Sequence, residues 1–185
     1  MIQEKMVEGD LLYHAVHGLC RLDKIIKQSQ SGKEVLSYSL VPKMASEMKI
    51  RFVIAVAGLK ASGFHALVSL KEANKILVYL KAGKIAAISS DVDPKEAVSY
   101  SFAAQSQAWD LAQALLSFSR ENFEAQDQKK RQRLDRSAKG LVGELAFVFK
   151  IPLKETAARI QKSLGSASKI NPLVLVALAH SSEDY

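Results

Sequence analysis

The chain is poor in the residues that most often carry covalent or metal chemistry. Of its 185 residues, one is cysteine, four are histidine and one is tryptophan. A single Cys20 excludes an intrachain disulfide and a zinc site built from several cysteines, and its apolar surroundings read it as a small buried hydrophobe. Uncharged apolar runs are short. The longest, Leu173 to Ala179, falls far below the roughly 18 residues a membrane-spanning helix needs. The first ten residues carry acids and lack an apolar stretch, so a secretory signal peptide is not expected. These absences predict a cytoplasmic protein with no membrane partner.

What is present supports a packed, basic protein. Hydrophobic residues make up 48% of the chain, enough for a real core, and the formal net charge is +7. A positive field concentrates nucleic acids and acidic surfaces around a protein. Charge alone does not choose between them, so its placement matters.

The periodicity changes along the chain. Four runs rich in β-branched and aromatic residues occupy Leu11 to Tyr13, Leu19 to Ile26, Val35 to Val41 and Lys49 to Ala57. The segments between them are turn-like, including His17-Gly18, where glycine supplies an unusual φ. Short strands joined by tight turns predict a small antiparallel β-barrel, which closes to remove its edges. From Ser69 the period is helical: Leu70 to Lys81 with Ser69 as cap and Gly83 as stop, then Pro94 to about Phe123 with an inward stripe of Trp109, Ala112 and Leu116. Further helices are expected over Gln128 to Phe149 and Pro152 to Leu164, with a last one from Asn171-Pro172 to near His180. The expected fold is α+β in two domains, a β-barrel over 1–67 and an all-α domain over 68–185.

The strongest local signal is the run from Lys129 to Lys139. It holds six basic residues (Lys129, Lys130, Arg131, Arg133, Arg136 and Lys139) against the single acid Asp135. On a helix, Leu134, Ala138 and Leu141 face inward while Lys129, Arg133 and Arg136 flank that stripe on exposed faces, an array that can neutralise phosphates without reading bases. A plain solvated face has the same composition, and both readings stand at this point. Gly58 to Gly63 superficially suggests a phosphate loop, but Phe64-His65 stands where lysine and a hydroxyl residue belong, so the segment reads as a loop. No nucleophile elbow occurs, and His14, His17 and His65 lack helical metal-pair spacing. No enzyme activity, cofactor, metal or small-molecule substrate is predicted. Arg51, between Ile50 and Phe52, is expected to project from the outer face of its strand as a partner anchor or a solubilising charge.

Three segments taken in order resemble the CarD family, also called CdnL, of bacterial transcription regulators. They are Glu8-Gly-Asp-Leu-Leu-Tyr-His-Ala-Val-His-Gly18, the stretch from Gly63-Phe-His-Ala-Leu-Val-Ser69 to Lys81, and Leu141-Val-Gly-Glu-Leu-Ala146. The resemblance implies that the barrel is Tudor-like and docks on the RNA polymerase β subunit, with Arg51 at a polymerase-contacting position and Lys27 one position from a second such basic site. It also implies that the helical domain contacts promoter DNA without sequence specificity, with Arg131 and Arg136 at family basic positions and the rest of the basic run nearby. His14 stands where the family has proline, and the region of the family's wedge tryptophan offers only Tyr100 and Phe102. Those two aromatics are the implied wedge candidates. In a different class stands an adaptor that binds polymerase or another partner without touching DNA.

Overall fold

A computed structural model describes residues 6–30, 33–43, 50–83, 107–120, 127–165 and 169–183. The protein is α+β, an antiparallel sheet followed by helices, and it divides into two compact units, Met1–Leu67 and Val68–Tyr185.

The first unit holds strands β1 (Leu11–His14), β2 (Gly18–Gln30), β3 (Lys33–Pro42), β4 (Phe52–Ala55) and β5 (His65–Ala66). Their order is β4-β3-β2-β1-β5, and every pairing is antiparallel. Among the described residues this is an open order with β4 and β5 at its two ends. Gly18 opens β2 at φ 68°, a left-handed conformation that an L side chain resists, and so closes the short turn after His14. The His14 ring fixes the same turn, its Nδ1 accepting the Val16 and His17 N–H groups at 3.1 Å each. Leu12, Cys20, Leu22, Tyr38, Leu40 and Phe64 form the core of this unit, with Phe52 and Ile54 packed against it. The pairing of β2 with β3 shifts register between Leu22 and Lys24, a bulge that places Asp23 out of the regular ladder.

Two expectations need correction here. The residues after Ala55 do not continue the strand. A 3-10 turn, Val56–Gly58, passes into a helical turn α1, Leu59–Ser62, which ends on Gly63 at φ 85°. The segment read as a loop is therefore largely helical, with the Ser62 hydroxyl donating to the Leu59 carbonyl at 2.6 Å. The fifth strand, β5, is too short for any alternation to show in sequence; it exists because it pairs with Leu12 and Tyr13 of β1.

The second unit contains α2 (Leu70–Ala82), α3 (Gln107–Arg120), α4 (Gln128–Phe149), α5 (Leu153–Leu164) and α6 (Pro172–Ser181). Local chemistry sets their ends. Ser69 and Glu72 form a reciprocal capping box on α2, and Gly83 stops it at φ 62°. The Asp127 carboxylate accepts the Lys130 N–H at the start of α4, and Asn171 accepts the Leu173 N–H at the start of α6. α4 packs against α2, α3, α5 and α6. Of the stripe expected from spacing, Leu134, Ala138, Leu141 and Leu145 are fully buried and Val148 is half-buried, and the Glu144 side chain lies fully buried beside them. Trp109 on α3 is only 8% exposed and meets the Tyr79 ring edge-on at 5.5 Å between centroids. Burial pushes the Tyr79 hydroxyl above its ordinary pKa, and the nearby Arg120 guanidinium pulls it partly back. Among the described residues no helix is long and apolar enough to cross a membrane.

Candidate nucleic-acid interface

The basic run forms the first three turns of α4, and the helix sorts its cations by face. At about 100° per residue, Lys129, Arg133 and Arg136 fall on one flank of the buried stripe and Arg131 on the opposite flank, about 140° from Arg136. The packing follows this division. α3 lies along the first flank, and between the two helices run adjoining depressions of about 560 Å³ and about 460 Å³. Arg133 lines both, while Lys129, Gln132, Arg136 and Ser137 line the second. The facing wall comes from α3, with Asp110 and Ala114 in both depressions and Gln113 and Ser117 in the first. Lys129, Arg131, Arg133 and Arg136 are exposed, whereas Lys130 and Lys139 are half-buried and stand outside the groove lining.

The groove is thus an open channel with three cations on one wall and amides, hydroxyls and one carboxylate around them. Such an arrangement favours anionic groups spaced along a chain over a single enclosed ion. The α3 side chains were not legible in sequence as part of a site, because Asp110, Gln113 and Ser117 are ordinary exposed-face residues until α3 is laid beside α4. Tyr100 and Phe102 lie outside the described residues, as does the part of the expected second helix before Gln107.

In the first unit, Arg51 directly precedes β4 and is anchored within the sheet. Its Nη1 lies 3.0 Å from Asp23 Oδ2 and donates to Ser39 Oγ at 3.1 Å. Ser39 is fully buried and pairs with Val53, so Arg51 lies along the face that carries those two residues. Lys27 pairs with Leu36, whose face alternates with that of Ser39 and continues to the core residues Tyr38 and Leu40. The two basic residues implied in polymerase binding are therefore on opposite faces of the sheet, both exposed. Among the described residues β4 is paired only towards β3, and Val53 on it is 54% exposed.

His14 and His17 build packing contacts. His14 stacks on His17 at 4.5 Å, and His17 in turn lies 4.5 Å from Phe52. Among the described residues no group of three or more His, Cys, Asp or Glu is placed to hold a metal ion. Cys20 is fully buried, and burial pushes its thiol from 9.0 to about 11.

A scan against protein-family models and a search of curated protein sequences return no match to this chain.

Proposed function

We propose that this protein is a non-catalytic, cytoplasmic regulator of transcription initiation, in which the first unit docks on the RNA polymerase β subunit and the second contacts promoter DNA through phosphates. The observation that carries the DNA half is the groove wall of Lys129, Arg133 and Arg136 on α4. Cations at positions i, i+4 and i+7 rise about 10 Å along a helix and can meet successive phosphates of one strand without base recognition. The polymerase half draws its support from the three CarD-like segments, and we read the sheet with its helical turn as a Tudor-like barrel on that ground. Edge strand β4, with Val53 exposed and Arg51 anchored beside it, suits addition of a strand from the partner. Docking raises the local concentration of DNA, so weak phosphate contacts suffice to change open-complex lifetime.

Binding of a short duplex measured across salt tests the DNA half. Affinity should fall steeply between about 50 and 200 mM salt, and alanine at Lys129, Arg133 and Arg136 together should flatten the slope by about 0.9 for each phosphate that is no longer neutralised. An affinity insensitive to both salt and these substitutions would refute it. Capture of the polymerase β subunit by the intact chain tests the other half.

The adaptor reading, partner binding without DNA, is favoured by one observation. Arg131 stands on the far flank of α4 from the groove, and Lys139 does not line it, so the six cations do not make one patch. Capture of β with no measurable duplex affinity would decide for it.

A further inference from the structure

We propose that Asp110 is an affinity-setting residue of the α3–α4 groove, a carboxylate that competes with nucleic-acid phosphate for the α4 cations. The proposal rests on the reading of α4 as a phosphate-contacting helix. Asp110 is exposed in the first turn of α3 and lines both depressions of the groove, in each case together with Arg133. In the second depression it shares the space with Lys129 and Arg136 as well. The remaining polar lining, Gln113, Ser117, Gln132 and Ser137, is uncharged. Among the described residues Asp110 is thus the one acid facing three cations on this lining.

Asp110 lies on the α3 wall of the groove, facing the α4 cations. In the free protein the carboxylate partly neutralises the facing cations, and so reduces the number of counterions that nucleic acid releases on binding. When a phosphate enters, it meets a like charge across the groove, which weakens association and discriminates against tight, unselective binding. A protein delivered to its DNA by docking elsewhere does not need a strong groove. The same groove without Asp110 would hold any nucleic acid it met.

The experiment is a titration of fluorescent duplex with the full chain at several salt concentrations, comparing the wild type with Asp110→Asn, Asp110→Glu and Arg133→Ala. Asp110→Asn should bind at least about threefold tighter at low salt, with a salt slope steeper by up to about 0.9. Asp110→Glu keeps the charge and should stay near the wild type, which separates charge from helix capping or folding. The gain should shrink when Asp110→Asn is measured in an Arg133→Ala background, showing that the carboxylate acts in part on that guanidinium. If Asp110→Asn leaves affinity and slope unchanged while binding still depends on salt and Arg133, this inference is overturned and the DNA reading stands. If the wild type shows no salt-dependent binding that responds to Lys129, Arg133 or Arg136, the DNA reading itself fails.

Discussion

Glu144 and Val68, 76 residues apart, are joined by a buried hydrogen bond: the Glu144 Oε1 accepts the Val68 N–H at 3.1 Å. Glu144 is on the central helix α4, fully buried, and Val68 is the first residue of the helical unit, directly before the Ser69 cap of α2. The bond ties the entrance of the unit to its middle. A backbone N–H buried here without an acceptor would carry the full cost of desolvation.

Glu144→Ala should therefore destabilise the helical unit by about 2–4 kcal/mol, from the orphaned Val68 N–H and the cavity left in the core. Glu144→Gln keeps an acceptor oxygen and the shape, and should cost clearly less. Thermal or urea unfolding followed by circular dichroism, which reports chiefly the helices, measures both. Equal losses for the two variants would show that the hydrogen bond is not what holds this position.

The α2 cap makes a second, smaller prediction. The Ser69 oxygen accepts the Glu72 N–H at 3.2 Å, while the Glu72 carboxylate accepts the Ser69 N–H at 2.8 Å. Ser69→Ala should cost about 1 kcal/mol, and Ser69→Asp should recover most of it, because either oxygen can serve an orphan donor of the first turn. Hydrogen exchange at the amides of residues 70–72 should rise first, before any global loss of structure.

Cys20 gives the first unit a pH dependence at the alkaline end. Its thiol is raised by burial from 9.0 to about 11, so the folded protein holds the proton more tightly than the unfolded chain. The associated stability is fully present below pH 9 and is lost as pH rises from there through about 11. Alkaline unfolding of the wild type should thus be relieved in Cys20→Ala within that window, even though the variant is less stable at pH 7 through its cavity. Labelling by a thiol reagent at pH 8 should be slow in the native protein and rapid after denaturation.

On the proposed docking role, Arg51 should bear on partner binding more than on folding. Its side chain is 47% exposed and that of Asp23 is 23% exposed, so the pair is only partly withdrawn from solvent. Asp23→Ala should cost the first unit about 0.2–1 kcal/mol. In β-subunit capture the expected order is wild type strongest, Asp23→Ala weakened because Arg51 is no longer anchored, and Arg51→Ala weakest. Capture unaffected by Arg51→Ala would move the docking surface elsewhere on the sheet.

Much of this architecture is written locally in the chain. Ser69, Glu72 and Gly83 bound α2, Asp127 and the Leu134, Ala138, Leu141 and Leu145 stripe define α4, and Asn171-Pro172 starts α6. Capping and helical period act over three or four residues, so they can be read without knowing what packs where. The strand pattern likewise located β1 to β3, because alternation and turn glycines are local properties. The two-residue β5 and the helical turn after β4 were not readable, since pairing with β1 and packing over the sheet core decide them. The candidate site divides in the same way. The cations from Lys129 to Lys139 were visible as a cluster, and the helical period put Lys129, Arg133 and Arg136 on exposed faces beside the buried stripe. Only the packing of α3 on α4 turned one flank into a groove and set Asp110 across it, because a carboxylate 23 residues before Arg133 acquires its charge partners through the fold alone.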